Sequence, residues 1–126
     1  MKGKVKYKLI PGLLATSVLG TALLPASPAS ADLIKDAAVG AASNVVTGAV
    51  LKNGTTAGNA VGGAAAGAAV GATHNRANGR VSSVVQDAAV GAVTNVVTGE
   101  VLRNGRTVDN AIGGAAAGVV VNVSKD

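Results

Sequence analysis

The 126-residue chain contains no cysteine, no tryptophan and no phenylalanine, and it has a single tyrosine and a single histidine. Without cysteine, a disulfide, a thiolate metal ligand and a cysteine nucleophile are all impossible. With almost no aromatic side chains, the chain offers no platform on which nucleic-acid bases stack. These absences remove several classes of binding and catalytic site before any pattern is considered.

The basic balance of the chain belongs mostly to its first 31 residues. The full sequence has a formal net charge of +5, and Lys2, Lys4, Lys6 and Lys8 supply four of those charges. From Asp32 onward, seven basic side chains are matched by six acidic ones. The basic balance is therefore not the footprint of a nucleic-acid-binding surface, and we expect no nucleic-acid partner.

Residues 1–31 have the pattern of a secretory signal peptide. The lysine-rich start is followed by an apolar stretch over 9–24 and by Ala29-Ser30-Ala31, whose small side chains at the first and third positions suit a signal peptidase. We predict cleavage between Ala31 and Asp32. The sequence thus predicts an exported protein, located in the periplasm or cell envelope or secreted. No cysteine follows the site, so processing as a lipoprotein is excluded.

The remaining chain repeats one unit with a constant offset of 51 residues. Residues 36–41 (DAAVGA) recur at 87–92, 44–48 (NVVTG) at 95–99, and 62–67 (GGAAAG) at 113–118. A gapless match of this length indicates two equivalent supersecondary units. We assign the first unit to 32–72, a polar linker to 73–82 and the second unit to 83–126.

Each unit is predicted to fold as helix, turn and helix, which makes the protein all-α with two tandem Ala/Gly-rich helical hairpins. Asp32 and Ser83 are candidate caps of the first helix, and the Asn-Gly pairs at 53–54 and 104–105 mark its end. The candidate N-cap of the second helix is Thr56 in the first unit and Thr107 in the second. The alternative is a β-hairpin or fibre-forming repeat, since Asn-Gly is also a hairpin turn and valine favours strands.

Small residues recur every four positions in the predicted helices, so they form flat rows where another helix can approach closely. Asn44, Asn95, Thr47 and Thr98 lie beside the rows and are candidates for hydrogen bonds across a helix pair. The helix-packing glycines that we predict are Gly40, Gly48, Gly58, Gly62, Gly63, Gly67, Gly71, Gly91, Gly99, Gly113, Gly114 and Gly118.

The rows in the second segment of each unit resemble the glycine-zipper domains of bacterial envelope proteins. The resemblance is carried by Gly63, Gly67 and Gly71 within the block 62–71, and by the block 113–118; Asn122 replaces the third glycine of the second block. It covers only those segments. The resemblance implies a location in the cell envelope and self-association, and it implies no reaction.

No arrangement of residues points to catalysis or to a bound cofactor. His74 is alone in the linker, where we expect it to be solvated, and no cluster has metal-ligand spacing. Asp36 and Asp87 recur, but the first turn of a helix favours a carboxylate without any catalytic role. We therefore expect no enzyme, no cofactor, no metal and no small-molecule substrate.

The mature chain has few large aliphatic side chains, so a core of alanine, glycine and valine is thin for a self-sufficient soluble monomer. We expect its partners to be copies of itself and membrane lipid. The functional hypothesis is a non-enzymatic, structural, self-associating protein at or in the cell envelope. The alternatives are a secreted bacteriocin-like membrane-active peptide and an extracellular β-fibre subunit.

Overall fold

The computed structural model describes residues 28–75, 77 and 79–125. Within them the chain forms four helices and no strand, so the all-α prediction is confirmed and the β-hairpin alternative is wrong for this part of the chain. The predicted signal-peptide stretch 1–27 lies outside the described residues. The helices are α1 (Pro28–Leu51), α2 (Thr56–Thr73), α3 (Arg80–Leu102) and α4 (Thr107–Ser124).

The Asn-Gly pairs end helices instead of turning hairpins. The amide of Asn53 donates to the carbonyl of Gly48 (2.9 Å), five residues back, and Asn104 does the same to Gly99 (2.8 Å). These are the closing bonds of a helix C-terminal turn, in which the preceding residue takes a left-handed conformation. The same dipeptide thus stops a helix here because the flanking segments are helical.

Helix starts differ from the predicted capping positions. Thr55, and not Thr56, is the N-cap of α2, and its hydroxyl accepts from the amide of Gly58. Helix α3 begins three residues before Ser83, whose hydroxyl is buried and donates to the carbonyl of Arg80 (2.9 Å). Helix α1 begins before Asp32, so the predicted cleavage site lies within its first turns. Helix formation extends upstream of the polar caps because the residues there, Ala29 to Ala31 in α1 and Arg80 to Ser82 in α3, do not interrupt it.

The two hairpins, α1 with α2 and α3 with α4, pack on each other as a four-helix bundle, and α2 also touches α4 across its centre. Glycines allow backbone to lie on backbone within each hairpin. A Cβ added to Gly40 would collide with the carbonyl of Gly63 and with Gly67. At the matching place in the second hairpin, Gly91 lies against Gly114 and Gly118.

The usual distribution of polar and apolar side chains is reversed in this bundle. The buried apolar side chains among the described residues are Ala66, Val70, Ala117 and Val121. Most other buried side chains are polar, chiefly asparagine and aspartate. The face of α1 with regularly spaced alanine and valine, which includes Val46 and Val50, points outward; Val50 is 76% exposed.

Candidate functional site

The predicted glycine rows are occupied by the chain's own helices. Gly58 and Gly71 are partly exposed, and the ten other glycines predicted for helix packing are buried. Besides the Gly40 and Gly91 contacts, Gly62 faces the side-chain oxygen of Asn95, and Gly113 faces that of Asn44. The glycines therefore serve two purposes in the bundle: they let backbones touch, and they leave room for buried amides.

Six buried asparagines form a connected hydrogen-bond network through the centre and the turn end of the bundle. They are related in pairs by the 51-residue offset: Asn44 and Asn95, Asn53 and Asn104, and Asn59 and Asn110.

The centre of this network is a reciprocal pair. Asn44 Nδ2 donates to Asn95 Oδ1, and Asn95 Nδ2 donates to Asn44 Oδ1, both at 3.2 Å. Each amide also donates to a backbone carbonyl of its own hairpin: Asn44 to Asn59 (2.8 Å) and Asn95 to Asn110 (2.7 Å). A buried amide is stable only with such partners, so the pair fixes the relative position of the two hairpins.

The network continues to the two turns. Asn53 Nδ2 donates to Asn110 Oδ1 (3.0 Å), and Asn104 Nδ2 donates to Asn59 Oδ1 (2.9 Å). The amide of Arg106 donates to Asn53 Oδ1 (2.7 Å), so each turn is held by an asparagine of the other hairpin. Of the four residues predicted to form hydrogen bonds across a helix pair, Asn44 and Asn95 do so. The same prediction for Thr47 and Thr98 is wrong, because each donates to its own helix four residues back, to Ser43 and Thr94.

The opposite end of the bundle holds two buried carboxylates, each in contact with a side-chain nitrogen from the other hairpin. Asp36 Oδ2 is 2.7 Å from Lys125 Nζ, and Asp87 Oδ2 is 2.5 Å from His74 Nδ1. Asn122 Nδ2 also donates to Asp87 Oδ2 (2.7 Å), while Asp87 Oδ1 is buried without a hydrogen-bond partner. His74 and Lys125 are themselves 51 residues apart, so the two contacts occupy equivalent positions in the two units.

Two expectations about these residues are wrong. His74 is not a solvated linker residue, because it lies at the end of α2 and only 12% of its side chain is exposed. Asp36 and Asp87 are not in the first turns of their helices, which start at Pro28 and Arg80. Burial makes their partners necessary, since an unpaired carboxylate inside a protein is strongly unfavourable.

An open cleft of about 540 Å³ lies at this end. Its lining mixes both signs of charge, and it includes Asp32, Lys35, Asp36, His74, Asn75, Ser124 and Lys125. Lys35 Nζ donates to the carbonyl of Ser124 (3.4 Å). The described residues contain no group of three or more histidine or acidic side chains placed to hold a metal ion.

The outer surface carries many of the large apolar side chains described. Ten of the exposed valines and isoleucines described lie on α3 and α4, against two on α1. Among the described residues, no helix combines the length and the apolar character needed to cross a bilayer. The exposed side chains on α3 and α4 are Val81, Val85, Val93, Val97, Val101, Val108, Ile112, Val119, Val120 and Val123.

Part of the excess on the second hairpin arises from substitutions between the two units. Val93 corresponds to Ala42, Val108 to Ala57, and Val123 to Ala72. All of these positions are exposed. Because helix packing inside the bundle does not use them, these substitutions change the outer surface without changing the interior.

Sequence reasoning identifies the central asparagines but misses four others. It treats Asn53 and Asn104 only as turn residues, and it assigns no role to Asn59 and Asn110. A signal exists, since an asparagine recurs in both units within helices that have little charge. A polar amide kept twice at an equivalent helical position indicates a partner inside the fold.

Comparison with protein-family models finds no matching family, and neither the curated proteins nor the solved structures contain a match to this chain.

Proposed function

We propose that the protein is an exported, non-enzymatic structural component of the bacterial cell envelope that assembles with copies of itself. In this proposal residues 1–31 are removed as a signal peptide, and the mature chain is a tandem repeat of two helical hairpins. N-terminal sequencing of the exported protein tests the first part: we expect Asp32 as the first residue, and an intact Met1 would contradict it.

The observation that carries the proposal is the reversed distribution of side chains. Val93 is 65% exposed, Val97 58% and Val85 63%, although burying one such side chain fully contributes about 1.5–3 kcal/mol. Large exposed apolar areas on folded proteins mark surfaces that meet another protein or a membrane. The interior of the bundle is already filled by backbone contacts and amides, so these side chains have no place inside it.

The same observation changes where association between copies is expected to occur. The glycine rows face the chain's own helices, so they are closed to another molecule in this fold. The valines of α3 and α4 are open. We therefore assign self-association to the outer surface of the second hairpin, and we give the glycines the role of building the hairpins.

A pair of equivalent positions provides a matched test. Val93 and Ala42 are both exposed and are 51 residues apart. Sedimentation of the exported protein without detergent should show assemblies that Val93→Lys weakens at least about tenfold, because a lysine cannot be buried cheaply in an apolar interface. The control Ala42→Lys should assemble like the unmodified protein. A monomer at all concentrations, or equal behaviour of the two variants, would contradict the proposal.

Fractionation of the producing cells tests the location separately. We expect the protein in the envelope fraction, and recovery in the cytoplasmic fraction would rule out the proposed export.

A further inference from the structure

We infer that Asn53 and Asn104 are sites of spontaneous deamidation, which are closed while the two hairpins are docked and react when the turns open. The inference goes beyond the proposed structural role and depends neither on export nor on self-association. Each asparagine directly precedes a glycine, at 53–54 and at 104–105. Because glycine has no Cβ, its backbone nitrogen has unhindered access to the side-chain carbon of an asparagine before it.

The reaction is intramolecular and needs no reagent other than water. The glycine amide gives its proton to hydroxide, and its nitrogen forms a bond to Cγ of the asparagine. The bond from Cγ to the side-chain nitrogen breaks, and that nitrogen takes a proton from water and leaves as ammonia. Water then opens the resulting cyclic imide at either carbonyl, which gives aspartate or isoaspartate. The net change is the hydrolysis of an amide to a carboxylate, without oxidation or reduction.

The fold leaves no room for a less reactive residue after either asparagine. Gly54 has a φ of 66° and Gly105 a φ of 79°, a conformation that other residues rarely adopt. A Cβ added to Gly54 would lie 2.6 Å from the side chain of Asn104, and a Cβ added to Gly105 would collide with the side chain of Asn53. Each glycine is therefore covered by the asparagine of the other hairpin.

The asparagines are required as strictly as the glycines. Asn53 is 5% exposed; its Oδ1 accepts from the amide of Arg106 (2.7 Å), and its Nδ2 donates to Asn110 Oδ1 (3.0 Å). Asn104 makes the equivalent two bonds to the first hairpin. Aspartate lacks the donor, and glutamine is longer by a methylene. The structure thus imposes the reactive dipeptide at both turns.

The same hydrogen bonds prevent the dipeptide from reacting. Ring closure makes the planar amide carbon tetrahedral and expels Nδ2, so it does not proceed while both amide atoms are bonded across the hairpins. The backbone is held as well, since the carbonyl of Asn53 accepts from Asn59 Nδ2 (2.7 Å) and that of Asn104 from Asn110 Nδ2 (2.8 Å). Reaction therefore requires local opening of the turn end, and its rate follows the open fraction.

Deamidation prevents the turn from closing again. A carboxylate at position 53 would place an oxygen against Asn110 Oδ1, where Nδ2 of the amide donates now. Asn110 would have to give up its bond to the carbonyl of Asn104 to offer its nitrogen instead. Isoaspartate also lengthens the backbone of the turn by a methylene. Each opening thus exposes the chain to a one-way change that removes the docked form.

Peptide mass spectrometry of the full chain measures the reaction at each site. In mildly alkaline buffer, deamidation at Asn53 and Asn104 should be at least about tenfold slower in the folded protein than in guanidinium chloride. The pair 78–79 is a third Asn-Gly, and a Cβ added to Gly79 would meet nothing within 4 Å, so this pair should slow much less. Equal rates at the two turns in both conditions, or equal slowing of all three pairs, overturns the inference.

Asn110→Ala tests whether the bonds between the hairpins give the protection. It removes the acceptor of Asn53 Nδ2, so deamidation at Asn53 should become about tenfold faster. Asn75→Ala is the exposed control and should leave this rate unchanged. An unchanged rate in the Asn110→Ala variant overturns the inference. Circular dichroism shows whether that variant is folded; if it is not, the comparison of the folded and unfolded natural protein still decides.

Asn53→Asp reproduces one product of the reaction. Its urea midpoint should fall by about 1 M, because the buried carboxylate faces an acceptor. Asn75→Asp adds the same charge at an exposed position and keeps the acceptor for the amide of Ala77, so it should leave the midpoint unchanged. An Asn53→Asp protein with the midpoint of the natural protein overturns the one-way character of the change.

Discussion

Asn44 and Asn95 hydrogen-bond to each other through both atoms of their side-chain amides, at 3.2 Å in each direction, and each is at most 3% exposed. They occupy the same position in the two units, so one asparagine, used twice, produces a self-complementary contact. Two amides can satisfy one another in this way, whereas a lone buried asparagine would need an unrelated partner. The contact explains how a bundle with few large apolar side chains specifies one arrangement of its hairpins.

Replacing either central asparagine is expected to destabilise the fold strongly. Asn44→Ala leaves both the donor and the acceptor of the Asn95 amide without their cross-hairpin partners, and unsatisfied buried polar groups cost about 1–3 kcal/mol each. We expect a loss of about 3 kcal/mol in the free energy of unfolding, measured by urea denaturation. Asn75→Ala, an exposed control, should change it by less than about 0.5 kcal/mol.

The double variant Asn44→Ala with Asn95→Ala should lose about 1 kcal/mol less than the sum of the single losses, because the second change removes a group already unsatisfied. Strict additivity would show that the pair is not coupled.

Adding a methyl group at a glycine contact should also destabilise the fold. Gly40→Ala brings a Cβ into the carbonyl of Gly63. Alanine gains about 1 kcal/mol of helix propensity over glycine, but overpacking costs about 1–3 kcal/mol and here involves rigid backbone. Net destabilisation by about 1–2 kcal/mol is expected in thermal or urea unfolding.

Ala42→Ser on the same helix is exposed and should be neutral within about 0.5 kcal/mol. If Gly40→Ala were more stable than the natural protein, the close backbone contact between α1 and α2 would not exist.

The contact between His74 and Asp87 at the other end makes a third prediction. His74→Ala deprives the fully buried Asp87 of its histidine partner, and removing one partner of a buried carboxylate costs about 3 kcal/mol even though Asn122 still donates to it. Chemical denaturation should show this loss. His74→Lys installs the residue found at the equivalent position of the second unit, and it should recover more than about half of the stability.

Lys35→Ala alters only an exposed contact and serves as the control. A His74→Ala protein as stable as the natural one would mean that the pair contributes nothing to folding.

The left-handed conformation of Lys52 makes a prediction about stability. Lys52→Gly removes a left-handed strain of about 1–2 kcal/mol and adds roughly 0.5–1 kcal/mol of chain entropy to be lost on folding. The net effect should be a stabilisation of about 0.5–1 kcal/mol, visible as a higher Tm. Lys35→Gly, in a helix interior, should instead destabilise by about 1 kcal/mol. A Lys52→Gly protein less stable than the natural one would contradict the strain.

The sequence was sufficient for the local structure. Each unit was predicted to be a helical hairpin, and the Asn-Gly pairs predicted the end of its first helix within a few residues. The sequence did not predict where the helices start. Asp32 and Ser83 could have capped them, but the residues before them are also compatible with a helix, and the helices begin earlier. It also misplaced His74 and both buried aspartates, since a side-chain contact between different hairpins has no local signature.

What the amino-acid sequence determined by itself is a chain of helices interrupted at Asn-Gly, with an internal offset of 51 residues and rows of small side chains. Only the tertiary structure decided which face of each helix turns inward. Apolar burial usually makes that choice, but valine and alanine bury too little area to outweigh close backbone contact along the glycine rows. Once the glycines meet, the asparagines beside them must find partners inside the bundle, and many valines remain outside while Val70 and Val121 are buried.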